Sequence, residues 1–268
     1  MNFRFMIEDI PTVLSALPTT LALTFISLFF AIVIAVLFGI CLIRRIPVLK
    51  QLVIAVNTVL KGVPLMVQLQ LCYYALPYVL RGLDGFLGYS YNPRNPAYFS
   101  FAVVALSFNF GAYLTDVVVS SYRAVDRGQL EAALSVGMRP VKGLIEIVAP
   151  QAVVISIPNL SNYFMWLLKA TSLASMVNVF ELLATARMST TNNYAILEGY
   201  ILAAAVYWIV CIAAEKGFRR LDSRIRTASA NSARASVRAT ASRSMKTSCC
   251  ARAAMFRSSR PEFAYRRH

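Results

Sequence analysis

The sequence predicts an all-α membrane protein: a polytopic bundle of about five transmembrane helices with one short amphipathic helix on its cytoplasmic side. Three observations predict this. Apolar residues make up 58% of the 268-residue chain, and they gather in runs long enough to cross a bilayer, which takes about 20 residues each. Charged residues, 15% of the chain, cluster between those runs, as the cost of placing charge in hydrocarbon requires. Basic residues concentrate in alternate loops, the bias that sets membrane orientation.

The first run, about Leu17 to Ile43, is too long for a signal-peptide core and has no basic start followed by a cleavage site. It is expected to be a true span, entered by Pro18-Thr19-Thr20 and ended by Arg44-Arg45. The second, about Leu52 to Leu80, is interrupted by Lys61-Gly62-Val63-Pro64. The third covers about Pro96 to Ser121. Apolar sequence resumes near Gly143 but is cut by Pro150, Pro158 and Lys169-Ala170-Thr171-Ser172, so an interfacial segment followed by a span over Ser172–Thr185 is expected. The fifth run is about Tyr194 to Phe218.

Arg44, Arg45 and Lys50 follow the first span; Arg123, Arg127, Arg139 and Lys142 follow the third; Lys216, Arg219, Arg220, Arg224 and Arg226 follow the fifth. The alternate loops carry only Arg4, Arg81, Arg94 and Arg187, with Glu8, Asp9, Asp84, Glu181 and Glu198 beside them. Five spans with the N-terminus outside satisfy every loop. Residues 1–226 form the expected transmembrane domain. Residues 227–268 are rich in Ser, Ala and Arg, hold nine of the 27 basic residues and one of the 12 acids, and read as a disordered tail. The +15 net charge thus divides between this tail and the cytoplasmic loops, and no nucleic-acid partner is expected beside the membrane lipid.

Several chemistries lack their residues. The single histidine is His268, so the body holds no histidine base or histidine metal ligand. The five cysteines contain no Cys-x-x-Cys spacing, and no metal site is expected. No Gly-x-x-x-x-Gly-Lys-Ser/Thr loop is present to cradle ATP. No nucleophile–base pair is visible, so the chain is expected to be neither an enzyme nor the holder of a cofactor. There is no internal repeat of the kind that builds two-halved secondary transporters.

The most informative segment is Arg123–Lys142. Gln129 to Val136 can form a short amphipathic helix with Leu130, Ala133, Leu134 and Met138 near one face, and Gly137 permits a tight turn after it. Such a helix suits either a knob that enters a partner's groove or a helix lying on the membrane surface.

Glu131-Ala132-Ala133, with Gly137 four residues beyond and an apolar stretch to Pro150, resembles the EAA loop of permease subunits of ATP-binding-cassette importers. Other landmarks are similar to the polar amino acid branch of that family: Lys61-Gly62-Val63-Pro64-Leu65-Met66-Val67-Gln68, Tyr73-Tyr74-Ala75-Leu76-Pro77, Pro150-Gln151-Ala152 and Lys169-Ala170-Thr171-Ser172-Leu173. The resemblance is ordered along about residues 10–225. It departs at Asp116, where Glu is usual, at Val119 for Arg, at Ser120-Ser121 for Gly-Gly and at Ala170 for Asp.

The resemblance implies a permease of a bacterial inner membrane that forms a pathway for polar amino acids. Its loop, with Gln129, Glu131, Ala132, Ala133, Leu134 and Gly137, would dock on an ATP-binding subunit dimer. ATP would be bound by that partner. A second permease chain, identical or homologous, and an extracytoplasmic solute-binding protein would complete the assembly. An ion-coupled secondary amino acid transporter is the alternative, and it would need an ionisable pair at mid-membrane, for which Asp116 and Lys169 are the available members.

Within the spans, Gly62 and Pro64 are expected to break a helix as a kink or a gate, and Pro158 to break another. Gln68 and Asn109 are candidates for the solute pathway, as are Asn159 and Asn162 beside Pro158 and Lys169, Thr171 and Ser172 beyond it. For each, the alternative is structural: a side chain satisfying backbone or capping a helix end. The sequence leaves the particular amino acid open.

Overall fold

The computed structural model describes residues 3–44, 46–87, 97–135, 137–191, 194–225 and 227. The side chains of Arg4, Arg45, Asp84, Arg94, Val136 and Arg226, and the tail beyond Thr227, lie outside the described residues. The helices are α1 (Phe3–Ser15), α2 (Leu17–Ile43), α3 (Pro47–Gly62), α4 (Leu65–Leu87), α5 (Tyr98–Ala124), α6 (Arg127–Ser135), α7 (Pro140–Gly143), α8 (Ala149–Ala170), α9 (Leu182–Thr191) and α10 (Ile196–Ile225). No strand occurs among the described residues.

Four helical stretches are long and apolar enough to cross a membrane, and the bent pair α3–α4 makes a fifth. Proline writes several of the boundaries. A residue before proline is driven out of the α region, and Ile46, Val63 and Arg139 are all extended, each next to a helix terminus. Pro18 sits in the first turn of α2, where a missing N–H costs nothing.

The seam between α2 and α5 sets the architecture. Ser27, Ala31, Ala35 and Gly39 recur every fourth residue along α2 and are buried. Ser107, Gly111 and Thr115 do the same on α5. Small side chains at this spacing let two membrane helices approach closely. Ser107 Oγ lies 3.3 Å from the Ser27 carbonyl; a Cβ on Gly111 would meet Ile34, and one on Gly39 would meet Val118. These pairs advance together along both helices, so α2 and α5 run parallel. The chain must therefore cross back once between them, and α3–α4 is that crossing, bent by 106°.

The remaining directions follow in the same way. Trp166 of α8 touches Phe110 and Tyr113 of α5, while Tyr163 reaches only Tyr113, so α8 is antiparallel to α5. Phe164 packs on Phe218, and Tyr207 of α10 reaches Glu181 beyond the end of α8, so α10 returns. Five alternating crossings result. Their hub is α5, whose most apolar window is 72% buried against 28% or less in the other three straight spans.

The fourth crossing differs from the expectation. No span covers Ser172–Thr185. The helical stretch is Pro140–Val177, α8 carries the crossing, and Pro158 lies inside α8 without ending it. Proline inside a membrane helix loses one hydrogen bond, which neighbouring packing can tolerate; Ile157 and Phe164 to either side are buried. The irregularity falls earlier, at a π turn over Leu144–Val148 ahead of Pro150, where the Gln151 amide donates to the Ile147 carbonyl at 3.0 Å. After α8 the chain tightens to a 3-10 turn, Thr171–Val177, and ends it with Asn178 in the left-handed region at φ 58°.

A second, smaller core lies at the end of the bundle away from α6. Val13 of α1 packs with Leu182 and Ala186 of α9 and with Leu202, Ala203 and Val206 of α10. Glu181, expected in an exposed loop, is fully buried and caps α9. Its carboxylate accepts from the Leu183 and Ala184 N–H groups at 2.9 and 2.8 Å and from the Tyr207 hydroxyl at 2.7 Å. Burial pushes this carboxyl up from the usual range, and these three donors pull it back. Thr20 Oγ1 accepts from the Leu182 N–H at 3.1 Å, which ties the same corner to α2.

By its contacts the chain separates into Met1–Arg219 and Arg220–His268. In the second unit, Arg220–Ile225 and Thr227 are helical, with Thr227 Oγ1 donating to the Ser223 carbonyl at 2.7 Å.

Two substitutions test these features. Gly111→Val forces α2 and α5 apart and should lower stability by about 1–3 kcal/mol, the usual range for overpacking, seen as an earlier melting transition in detergent. Glu181→Gln leaves one acceptor oxygen for two backbone donors and should cost about 0.5–2 kcal/mol, the range for a lost N-cap, with faster hydrogen exchange confined to the start of α9.

Candidate functional site

The predicted amphipathic segment forms α6, and its own sequence closes both ends. Asp126 caps the first turn: its Oδ1 accepts from the Gly128 N–H at 2.9 Å. Gly137 closes the last turn at φ +82°, with its N–H donating to the Leu134 carbonyl at 2.9 Å and the Met138 N–H donating to the Ala133 carbonyl at 3.1 Å. This paired reversal is the Schellman arrangement, in which a left-handed residue satisfies carbonyls that the helix end would orphan.

Ala133 is buried, and a Cβ on Gly143 would meet Leu130 and Ala133 at 3.1 and 3.4 Å, so α6 is seated on the start of the fourth crossing. Gln129, Glu131 and Ala132 face outward. Leu134, expected like them to dock, is 40% exposed and joins that outward set, whereas Ala133, expected in the same docking set, is buried in the seat. The result is a rigid nine-residue stub at the end of α5.

The second feature is the break between α3 and α4. Ending α3 at Gly62 orphans its last carbonyls. Gln68 folds back to catch two of them, its amide nitrogen donating to the Leu60 carbonyl at 2.6 Å and the Val63 carbonyl at 2.9 Å. Asn109 of α5 donates to the Leu60 carbonyl at 3.2 Å and to Gln68 Oε1 at 3.3 Å. Both amides are buried. Gln68 and Asn109, expected along a solute path, hold the elbow and pin it to α5.

Lys61 leaves the same elbow and meets Asp116 of α5, Nζ to Oδ2 at 2.7 Å. Its Nζ also lies 5.8 Å from the centre of the Tyr113 ring. Tyr113 is stacked with Tyr163 and in contact with Trp166, both from α8. The pair that an ion-coupled transporter would draw from Asp116 and Lys169 is not formed, because Asp116 pairs with Lys61.

Asn159, Asn162, Trp166 and Lys169 recur at helical spacing on α8 and are exposed along one face. Lys169 lies in the last turn of α8, where a cation complements the helix dipole. Thr171 is buried and donates to the Leu168 carbonyl at 2.7 Å, and Ser172 donates to the Lys169 carbonyl at 2.7 Å, so both hydroxyls serve the helix end.

The family described as the binding-protein-dependent transport system inner membrane component matches residues 10–227. The chain belongs to this family. Among relatives of this permease, PatM of Vibrio harveyi, a probable amino-acid ABC transporter permease protein, is 33% identical over 79% of the chain and 90% of its own length. The L-cystine transport system permease TcyL of Bacillus subtilis (strain 168) is 33% identical over 82% and 90%. The nopaline transport system permease NocM of Agrobacterium fabrum (strain C58 / ATCC 33970) is 31% identical over 78% and 86%. A crystal structure of an amino acid ABC transporter with histidines superposes with a TM-score of 0.71 at 29% identity, covering 84% of this permease and 99% of that chain. The permease is therefore a multi-pass membrane protein and a membrane-spanning transport subunit of an ATP-binding-cassette importer.

Gln68→Leu removes the acceptor and donor groups that hold the elbow. It should cost about 1–3 kcal/mol for each carbonyl left buried and unpaired, read as a lower melting temperature and as new protease cleavage near Val63.

Proposed function

We propose that the permease carries polar amino acids or their derivatives through a bacterial inner membrane by alternating access, with α6 as its mechanical input. The observation that carries this is the capped stub itself. A helix of nine residues is too short to hold its shape alone, yet this one is capped at both ends, seated on Gly143, and turned so that Gln129, Glu131, Ala132 and Leu134 face away from the bundle. That is the form of a knob shaped for a groove.

In this reading the groove belongs to an ATP-binding subunit, and ATP closes a pair of them. Each permease chain supplies one α6, so two chains, identical or homologous, work as a pair. Closing the pair draws the two stubs together, and the bundle moves with them because α6 is seated on Gly143 at the start of the fourth crossing. Asn159, Asn162 and Lys169, exposed on one face of α8, border the pathway, and an extracytoplasmic binding protein delivers the solute to the α9 end. The concentration of basic residues in alternate loops supports the orientation in this reading, with α6 in the cytoplasm and the N-terminus outside. The solute class rests on the relatives, described as transporting amino acids, L-cystine and nopaline.

Glu131→Lys reverses the charge that faces the groove, and Gly137→Val puts a β-branched residue at φ +82°, at a cost of about 1–2 kcal/mol or more. Each should reduce co-purification of the ATP-binding subunit and abolish ATP-driven uptake while the chain still inserts and elutes as a folded protein. Unchanged uptake and assembly in both variants would overturn the proposal.

A further inference from the structure

The Lys61–Asp116 contact has the parts of a cation site in which the occupant is the protein's own side chain. Asp116 offers a carboxylate, Tyr113 offers a ring face, and the Lys61 ammonium sits between them, 2.7 Å from one and 5.8 Å from the centre of the other. A carboxylate with an adjacent aromatic face is the combination that recognises ammonium and guanidinium groups.

Two features separate this pair from one that only neutralises charge. The first is its asymmetry. The Asp116 side chain is 67% exposed while that of Lys61 is 25% exposed, so the carboxylate is open on the side away from its partner. An ion pair serving only to hide two charges inside a bundle would enclose both. The second is mechanical independence. The elbow is held by Gln68 and Asn109 acting on the Leu60 and Val63 carbonyls, and the Lys61 side chain is no part of that hold. Lys61 can leave Asp116 without unfolding the bend that carries it. Beyond Tyr113 the ring face continues into Trp166, 5.2 Å away, and Trp166 lies on the exposed polar face of α8.

We infer that Asp116 and Tyr113 form a solute subsite for an ammonium or guanidinium group, and that Lys61 is a tethered placeholder which yields to it. The inference rests on the permease reading above and adds to it the charge of the cargo. On arrival the solute cation takes Asp116, and the released Lys61 ammonium is free to meet the solute carboxylate. Two ion pairs replace one; a zwitterionic solute adds no net charge to the site, and a basic amino acid adds one positive charge. The cation can come from the side chain of a basic amino acid or from the α-ammonium of any amino acid.

Trp166 reports on the site directly. The chain has two tryptophans, so a Trp208→Phe background leaves Trp166 as the sole tryptophan, excited selectively at the red edge of absorption. The full chain in lipid nanodiscs is titrated with L-arginine, with n-butylguanidine (side-chain cation only), with L-citrulline (α-ammonium only) and with N-acetyl-L-citrulline (no cation). Saturable quenching by arginine and by n-butylguanidine or citrulline, with none from N-acetyl-L-citrulline, is expected, and the responding one of the two single-cation probes names the source. In Lys61→Met the cationic probe without a carboxylate, n-butylguanidine, should bind about tenfold tighter, because its internal competitor is gone. In Asp116→Asn, with Lys61 intact, arginine should bind at least tenfold more weakly.

The inference is overturned if Asp116→Asn leaves the arginine titration unchanged, if N-acetyl-L-citrulline titrates like arginine, or if arginine and n-butylguanidine give no signal even in Lys61→Met. Co-purification of the ATP-binding subunit with each variant, measured in parallel, tells a failed subsite from a failed permease: retention with no cation response condemns the subsite alone.

Discussion

The parallel contact of α2 with α5 along small side chains is the constraint on which the rest of the bundle depends. A bilayer gives no hydrophobic reward for bringing apolar helices together, so close approach and dispersion must supply it. Ser27, Ala31, Ala35 and Gly39 against Ser107, Gly111 and Thr115 permit that approach. Because the two helices run the same way, one return crossing must lie between them, and the chain meets that demand with a broken one. The bend, the elbow's polar fastening and the placement of Lys61 beside Asp116 all follow from fitting α3–α4 against a core whose direction is already set.

Much of this was legible in the sequence. Spans one, three and five are continuous apolar runs and span two is a run broken once at Lys61-Gly62-Val63-Pro64, and the length of a run is a strong signal when the solvent is lipid. The fourth was not legible, and proline is the reason. Pro64 and Pro158 look alike as letters. Pro64 follows Gly62, and the carbonyls it frees find Gln68 and Asn109, so the chain can afford to stop. Pro158 stands among buried Ile157 and Phe164, and packing on both sides carries the helix through. What separates them is the supply of partners from a distant helix, which a local reading cannot see. Glu181, grouped by its charge with the loop acids, takes two donors from the nearby Leu183 and Ala184 N–H groups, and only its third, Tyr207, and its burial depend on the tertiary arrangement.

At the candidate sites the legible part was α6. Its capping residues, Asp126 and Gly137, are local signals that act within a few positions, so the stub's limits could be foreseen nearly to the residue. The polar residues inside the spans were legible as exceptions but not in their roles. Gln68 and Asn109 turned out to be fasteners, Thr171 and Ser172 serve the end of α8, and Asn159, Asn162 and Lys169 remain on an open face. That Asp116 pairs with Lys61, 55 positions away across the elbow, required the fold.

The double capping of α6 has a consequence for how force passes through the chain. A segment that ordered itself only on contact would lose conformational freedom at each engagement and give way under load before it moved anything behind it. A stub already closed at Asp126 and Gly137 and wedged on Gly143 has nothing left to freeze. Its seat on Gly143 joins it to the start of the fourth crossing, so whatever meets the stub meets a part whose shape is already fixed.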